Sequence, residues 1–422
     1  MLVRVKPPSS IGGGLHARAA VVLATSVALA GCGSASSSVT RAEAPPKSCA
    51  ATVLDTLGRV LGRVYREGVL SERTGAARHL IAASLPLRRA VEEGNAAAAQ
   101  AAASELVATG HMTNLRVVRG GQTLASVGGP AVTPLTGAIA GAQGSPIASY
   151  VTSVWSDEGL IAEGSGVAQG KVVLRSGTRQ IAGTPRLPAV RLAREGTLSI
   201  AGVNYQYTSF HGGLYPQGAA TVYLLRPVAS TRSLCGANAT ETQVNTLKRI
   251  AELIYAGEAG RRTQTQIRRV QRDQPLLQAV ARQDPVASKA AVEALLVQHL
   301  VRLRVYDRQG RLLVDDGGPY VLAPVTAPLT LGGRRIGSIV LSIQDDEGYK
   351  RLTGRLAGLH VLMYIGSPAQ LVKNSLGPEP GNVPASGPYT YNGRAFQVFT
   401  LTRAAFPSGP LTIRVLVPMP YT

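Results

Sequence analysis

The sequence predicts an α+β protein of two homologous modules, each with a long N-terminal helix packed on a central antiparallel sheet. Two observations support this prediction. Short motifs recur in unchanged order at a nearly constant spacing of about 189 residues. Within each repeat, a helical apolar period then gives way to strand-like alternation. We therefore divide the chain into residues 1–31, 32–48, 49–228 and 229–422.

The repeated motifs extend along most of the chain. Each match is short, but a common order and spacing is hard to obtain by chance and indicates a duplication. The matched positions include Cys49 and Cys235, Pro86 and Pro275, His111 and His299, Gly128 and Gly317, and Asp157 and Asp346.

Each module is expected to start with an amphipathic helix. The apolar residues that define it are Leu54, Leu57, Leu61 and Val64 in the first module and Val244, Leu247, Ile250 and Ile254 in the second. Their spacing places them on one side of a helix. A second helical stretch is expected from Pro86 and from Pro275, ending near the two histidines.

Strands follow the helices, most clearly in the second module. Alternation at residues 302–306 leads into a turn, and the pairs Gly332-Gly333 and Asn392-Gly393 predict two hairpins. Between these hairpins, Asp345 or Asp346 is expected to cap a helix that runs to residue 359. Residues 412–417 are expected to form the last strand.

Two stretches of the second module resemble the extracytoplasmic Cache family of PAS-like sensors. They are residues 303–316, LRVYDRQGRLLVDD, and residues 337–349, GSIVLSIQDDEGY. The resemblance implies a long helix beside a sheet, with a small molecule bound in a pocket on that sheet. The first module is similar but more degenerate.

The N-terminus predicts export. Arg4, Lys6 and Arg18 are followed by an apolar run, residues 19–30, that is too short to span a bilayer as a mature helix. The run ends Leu-Ala-Gly-Cys and resembles the bacterial lipobox, which implies cleavage before Cys32 and acylation of its thiol. Residues 33–48 have the composition of a flexible tether. We expect a protein lipid-anchored on the extracytoplasmic face of the cell membrane; an ordinary cleaved signal is the alternative.

The chain is strongly basic, with 44 Lys and Arg against 24 Asp and Glu and a formal charge of +20. Such an excess favours anionic partners, but export excludes cytoplasmic nucleic acid. The densest basic segment contains Arg261, Arg262, Arg268, Arg269 and Arg272. It either contacts an anionic partner, such as lipid head groups or wall polymers, or is a solvated helix face.

Cys49 and Cys235 are expected to form a disulfide, because exported proteins meet an oxidising compartment. On the chain-entropy model, a bridge across so long a loop contributes about 5 kcal/mol to stability. Two buried free thiols are the alternative.

The sequence contains no recognisable active site, so we expect no enzyme, no catalytic residues, no cofactor and no metal. A G-x-S-x-G nucleophile motif and an H-x-x-x-H metal motif are both absent. The acidic pairs at Asp157 and Asp346 do not match a calcium loop, and carboxylates at helix starts usually act as caps. His111 and His299 are expected at helix C-termini, where the dipole favours them.

Aromatic residues on the predicted strands are the best candidates for a ligand pocket. We expect Arg304, Tyr306 and Tyr364 of the second module to contact a small molecule; ordinary sheet packing is the alternative. No transmembrane or kinase segment follows the last predicted strand, so a sensor would signal through a separate membrane partner. The competing function is a non-binding adaptor or structural lipoprotein of the cell envelope.

Overall fold

The fold is known from a computed structural model, which describes residues 48–257, 261–296, 300–405 and 409–422. Cys32, the predicted signal segment and His299 lie outside the described residues. None of the described helices is both long and apolar enough to cross a membrane.

The first half of the fold begins with four helices, which two groups of strands and one further helix follow. In chain order its elements are α1 (Cys49–Leu70), α2 (Glu72–Ala83), α3 (Leu85–Glu93), α4 (Ala96–Thr109), β1 (Asn114–Arg119), β2 (Gln122–Gly128), β3 (Ala131–Val132), β4 (Leu135–Ala140), β5 (Pro146–Ser153), β6 (Trp155–Ser156), α5 (Asp157–Ala168), β7 (Lys171–Ser176), β8 (Arg179–Gly183), β9 (Glu195–Ile200), β10 (Val203–Tyr215) and β11 (Gly218–Pro227).

A short joint, α6 (Val228–Thr231) and a 3₁₀ turn (Arg232–Leu234), leads to a second half in which the described elements follow the same order. These elements are α7 (Ala239–Gly257), α8 (Arg261–Arg272), α9 (Gln274–Ala281), α10 (Pro285–Leu295), β12 (Arg302–Asp307), β13 (Leu312–Gly317), β14 (Val321–Leu322), β15 (Val325–Leu331), β16 (Arg334–Ser342), β17 (Gln344–Asp345), α11 (Asp346–Ala357), β18 (His360–Ile365), β19 (Gln370–Asn374), β20 (Gly387–Tyr391), β21 (Arg394–Ala405) and β22 (Gly409–Met419).

The two long helices correspond residue by residue. Thr56 Oγ1 donates to the carbonyl of Thr52 at 2.8 Å, and Thr246 Oγ1 donates to that of Thr242 at 2.7 Å. These matched bonds align each residue of α1 with the residue of α7 whose number is higher by 190. The counterpart of Cys49 is therefore Ala239, so reading Cys235 as the repeat of Cys49 was wrong.

The sequence predicted a single central sheet in each half, but among the described residues the first half contains two antiparallel sheets and the second contains three, because the short pair β14-β17 is separate there. The first sheet has the strand order β2-β1-β5-β4 in one half and β13-β12-β16-β15 in the other. In the second sheet the corresponding orders are β8-β7-β11-β10-β9 and β19-β18-β22-β21-β20. The α+β class with antiparallel sheets and an N-terminal helix is confirmed. The extra sheet arises because each half has two separate groups of strands, one on either side of α5 or α11.

Helices cover one side of the first sheet in each half. α2, α3 and α4 pack on β1, β2, β4 and β5 around Leu87 and Leu115. α8, α9 and α10 pack on the equivalent sheet of the second half around Leu276 and Leu303. These two cores are separate from each other and from the centre of the molecule.

The two halves share one central core. α1 packs on α5, α7 and α11, and α7 packs on α5 and α11 as well. Exchanging the halves turns each of these helix pairs into another observed pair, so the four helices form a pseudo-symmetric central bundle. Fully buried Leu57, Leu247 and Val415 belong to one apolar cluster that draws on both halves. The described residues from Ser48 onwards accordingly form one compact unit.

The structure contains the predicted disulfide between Cys49 and Cys235, whose Cα atoms are 5.6 Å apart. Cys49 is the first residue of α1, and Cys235 follows the 3₁₀ turn that leads into α7. The bridge therefore holds the starts of the two long helices of the bundle together.

Candidate functional site

Arg304 and Tyr306 lie side by side on β12, on the face opposite the helices. Leu303 and Val305 alternate with them and are fully buried against α8, α9 and α10. An Arg304 Nη1 atom lies 3.4 Å from the hydroxyl of Tyr306. The structure thus brings two of the three predicted ligand contacts together.

The charged groups on this sheet face bind one another. Asp315 Oδ1 accepts from Arg302 Nε at 2.7 Å, and Asp315 Oδ2 accepts from Arg304 Nη2 at 2.6 Å. Burial raises the pKa of Asp315, but the hydrogen bonds and charges of the two guanidinium groups outweigh it and leave the pKa below its ordinary value. The cluster is therefore an internally paired network, and ligand binding by Arg304 and Tyr306 stays a prediction.

Tyr364 lies elsewhere, on β18 of the second sheet. The guanidinium carbon of Arg414 lies 4.8 Å from the centre of its ring, and the tyrosine packs beside a small cluster that includes Phe396 and Val398. The chain places Tyr364 on a different sheet from Arg304 and Tyr306, so the structure does not bring it beside them, and ligand contact by Tyr364 stays a prediction. The alternation of apolar and polar residues along each strand does not show whether the strands form one sheet or two.

The duplicated acidic motifs lie at helix starts. Asp345 Oδ1 accepts from the amide of Gly348 at 2.6 Å and caps α11 as predicted. In the first half the cap of α5 is Ser156, whose Oγ accepts from Gly159 N at 3.0 Å, while Asp157 lies in the first turn. Among the described residues, no three His, Cys, Asp or Glu side chains form a group that could hold a metal.

His111 and the basic segment were the other candidates from the sequence. His111 lies in the turn two residues after α4 ends, close to the predicted helix C-terminus. The basic segment forms α8, where Ile267 and Val270 are buried against the sheet. Arg269 in this helix donates to the carbonyl of Leu295 at 2.7 Å. Part of the basic segment is thus used in packing.

A cleft of about 420 Å³ opens in the central bundle between helices of both halves. We call it the interhelical cleft. Its walls are largely apolar, and its size is in the range of small-molecule sites. Its lining residues are Ala162, Glu163, Gly166 and Val167 of α5, Leu253, Ile254, Ala256 and Gly257 of α7, Arg262 of α8, and Leu352 and Leu356 of α11.

Two glycines line the cleft at the positions where the equivalent side of the bundle has an ion pair. On the pseudo-equivalent side of the bundle, Arg355 of α11 donates from Nε to Glu67 Oε2 of α1 at 2.6 Å. The helix correspondence places Gly166 at the position of Arg355 and Gly257 at that of Glu67. A Cβ built on either glycine would meet no atom within 4 Å. The missing side chains therefore leave open the space that the ion pair occupies on the other side.

Two charged side chains border the apolar walls. Glu163 is half-buried and, within the described ranges, forms no hydrogen bond or ion pair. Arg262 is exposed at the edge of the cleft. The sequence analysis did not predict this site. An alignment of α5 with α11 and of α1 with α7 would have paired each of the two glycines with a charged residue.

No known protein family model matches the chain, and no curated protein matches it. Solved structures that resemble it include an extracellular ligand-binding receptor from Desulfohalobium retbaense DSM5692, at 12% identity and a TM-score of 0.23 over 54% of this chain and 47% of that chain. The chain thus spans about half the length of that receptor. Another is the periplasmic domain of Vibrio cholerae LuxQ, at 10% identity and a TM-score of 0.25 over 42% of this chain and 98% of that chain. Likenesses of this extent support no statement about function.

Proposed function

We propose that this chain is a membrane-anchored extracytoplasmic lipoprotein that binds a small molecule and acts as a non-enzymatic sensor module. The observation that supports binding is the interhelical cleft, which has a volume of about 420 Å³, largely apolar walls and a half-buried carboxylate that has no partner among the described residues. A few polar groups in a mostly apolar concavity are typical of small-molecule sites.

The cleft suits a zwitterion with an apolar body. Glu163 has no counter-ion in the described part of the chain and offers its carboxylate to an amine. Arg262 at the rim offers a guanidinium to a carboxylate. Leu253 and Leu352 provide apolar wall between them, so burying a branched aliphatic chain is favourable by about 25 cal/mol per Å².

The position of the cleft offers a route to a signal. α5 belongs to the first half of the chain, whereas α7 and α11 belong to the second. A ligand that contacts all three helices would favour the arrangement of the halves in which those contacts form. It shifts that equilibrium only by its difference in affinity for the two arrangements. A separate transmembrane partner would read this arrangement.

The lipid anchor rests on the sequence motif at Cys32. Two acyl chains hold a protein stably on a membrane, whereas one does not, because each buried CH₂ contributes about 0.8 kcal/mol. Mass spectrometry of the chain purified from membranes should find a diacylated N-terminal peptide that begins at Cys32. A Cys32→Ser variant should release the protein into the soluble fraction.

Ligand binding can be tested with three compounds that differ by one charged group: leucine, 3-methylbutylamine and 4-methylpentanoate. We expect leucine to raise the unfolding temperature of the whole chain most, because it satisfies both Glu163 and Arg262. A ligand at 100 times its Kd stabilises the folded state by about 2.7 kcal/mol.

Glu163→Gln is the matched variant for this test. It should abolish the advantage of leucine over 4-methylpentanoate while leaving the unfolding temperature of the free protein unchanged. No stabilisation by any of the three compounds would overturn the proposed ligand class. An advantage of leucine that persists in Glu163→Gln would remove the site from this cleft.

An adaptor without a ligand is the second candidate, and the paired network at Asp315 favours it. The polar groups on that sheet face are satisfied by one another, and Tyr364 is covered by Arg414. An adaptor would show no stabilisation by a broad panel of amino acids, carboxylates and nucleobases, and it would still bind its membrane partner.

A further inference from the structure

A second cleft, of about 480 Å³, lies between α1 and β10 of the first half, and Thr422 of the second half also lines it. Three arginines border it, and we call it the arginine cleft. Arg59 and Arg66 extend from α1, and Arg194 directly precedes β9. Tyr65, Phe210 and Ser209 are among the other lining residues.

The charges around this cleft are unbalanced. Asp55 pairs with Arg59 at 3.3 Å. Arg66 and Arg194 form no ion pair within the described ranges. Thr422 also lines the cleft, and its main-chain oxygen accepts from Nη2 of the neighbouring Arg63 at 2.7 Å. The cleft is therefore a partly open groove whose lining has an excess of positive charge.

The corresponding place in the second half is filled and neutralised. The hairpin registers match Gly212 of β10 to Arg403 of β21, and the helices match Gly62 of α1 to Glu252 of α7. Arg403 Nη2 lies 3.8 Å from Glu252 Oε1. The guanidinium of Arg403 also lies 5.6 Å from the ring centre of Tyr255, the counterpart of Tyr65. Gly62, which lines the arginine cleft, thus has no carboxylate where α7 has Glu252, and Arg66 and Arg194 form no ion pair within the described ranges.

The walls of the arginine cleft are held in place by neighbouring bonds. Tyr65 OH accepts from Gly213 N at 2.6 Å, and its ring meets that of Phe210 edge to face with centres 5.5 Å apart. Ser209 Oγ donates to the main-chain oxygen of Arg194 at 2.9 Å. A site whose walls are fixed before binding loses less conformational entropy when a ligand arrives.

We propose that the arginine cleft binds a small multivalent oxyanion, an organic phosphate or a polycarboxylate. Guanidinium groups match both because their N–H donors form bidentate, charge-assisted hydrogen bonds with planar or tetrahedral oxyanions. A single negative charge would satisfy only one of the two unpaired arginines, so monovalent anions should bind much more weakly. This site is distinct from the interhelical cleft and goes beyond the function proposed above.

The test is calorimetric titration of the whole chain with citrate, inorganic phosphate and acetate at constant ionic strength, since salt screens exposed charges. We expect citrate or phosphate to bind at least tenfold more tightly than acetate. The stronger of the two identifies the class of anion. Equal affinity for all three anions, or no binding of citrate and phosphate, would overturn the proposal.

Gly62 provides a matched pair of variants. A Cβ at this position would lie 3.9 Å from Arg66 Nη1, so there is room for a side chain beside that guanidinium. Gly62→Glu supplies the carboxylate found in the second half and should weaken binding of the preferred anion at least tenfold. Gly62→Gln has the same size without the charge and should change affinity less than threefold. Equal losses in both variants would contradict an electrostatic site.

A second pair of variants tests the same site without any change at Gly62, in case a side chain there disturbs the fold. Arg194→Gln removes an exposed arginine of the cleft and should also weaken binding about tenfold. Arg179→Gln removes an exposed arginine on β8, at the other end of the sheet from β10, and should leave the affinity unchanged. Equal effects of the two changes would show that only the general positive charge attracts the anion.

Discussion

The two sides of the central bundle have the same helices but different contents. On one side, Arg355 and Glu67 close the space between α11 and α1 with an ion pair. On the other side, Gly166 and Gly257 leave a cleft between α5 and α7. The repeated fold therefore offers two equivalent places, and the one without the pair of charged side chains has room for a ligand.

A second pair of equivalent places shows the same contrast between a filled and an open position. One lies between α1 and β10, and the other lies between α7 and β21. Glu252 and Arg403 fill the second-half position, whereas at the first-half position Gly62 lines an open cleft and the ring of Tyr65 lies against Gly212. The open places differ in chemistry, because one is apolar with a lone carboxylate and the other is lined by arginines. Equivalent positions of the two halves are thus filled at one place and open at the other within one chain.

The largest expected effect comes from the covalent link at the start of the bundle. Replacing both Cys49 and Cys235 by Ser should lower the free energy of unfolding by about 5 kcal/mol on the chain-entropy model. Urea denaturation of the oxidised, reduced and double-Ser chains measures this difference. Equal stability of the oxidised and double-Ser chains would show that the bridge does not constrain the unfolded state.

Two equivalent core positions test whether the halves depend on each other. Leu57 and Leu247 are both fully buried in the shared cluster. Leu57→Ala and Leu247→Ala should each lower the free energy of unfolding by about 2–5 kcal/mol. Because the core is shared, each change should shift one common transition, as followed by calorimetry. Two transitions, with only one moved by each variant, would contradict the shared core.

Exchanging the residues on the two sides of the bundle should exchange their properties. Glu67→Gly with Arg355→Gly removes an ion pair and places two glycines in helices, which should cost about 2 kcal/mol in all. Gly166→Arg with Gly257→Glu should instead stabilise the chain by about 1 kcal/mol, since neither new side chain meets an obstacle at its Cβ. Chemical denaturation of both variants provides the comparison.

A smaller effect should appear on acidification at the paired network of β12. The pKa of Asp315 is lower in the folded state, because the hydrogen bonds and charges of Arg302 and Arg304 outweigh the opposing effect of burial. Its contribution to stability is therefore present above the ordinary carboxyl pKa of about 4 and is lost as the pH falls through the lower folded value. Asp315→Asn should flatten this part of the stability profile. An unchanged acid limb would contradict the pairing.

Local patterns predicted much of the fold. The stripes of α1 and α7 follow from helical spacing, and the Asn392-Gly393 hairpin follows from two adjacent residues that tolerate positive φ, 46° and 73° here. The disulfide followed from the compartment and the count of cysteines. Each of these depends on neighbouring residues or on composition.

The rest depends on contacts between distant segments. Alternation in β12 and β18 looks alike, so the sequence could not show that Tyr306 and Tyr364 belong to different sheets. The shared core could not be predicted either. The apolar stripe of a helix shows that one side is buried, but it does not show which other helix covers that side. Each cleft depends on which neighbouring element lies opposite a glycine. Comparing the two repeats shows where a glycine replaces a charged residue, but it does not show what lies opposite that glycine.

The most direct test of the central claim is calorimetric titration of leucine into the chain that carries Gly166→Arg and Gly257→Glu. Gly75→Arg, on an exposed part of α2, is the control, because it also replaces a helical glycine that has open space around it. We predict that leucine binds the parent and the Gly75→Arg chain with equal affinity and does not bind the chain with the restored ion pair. Undiminished binding to the chain with the closed cleft would contradict the account.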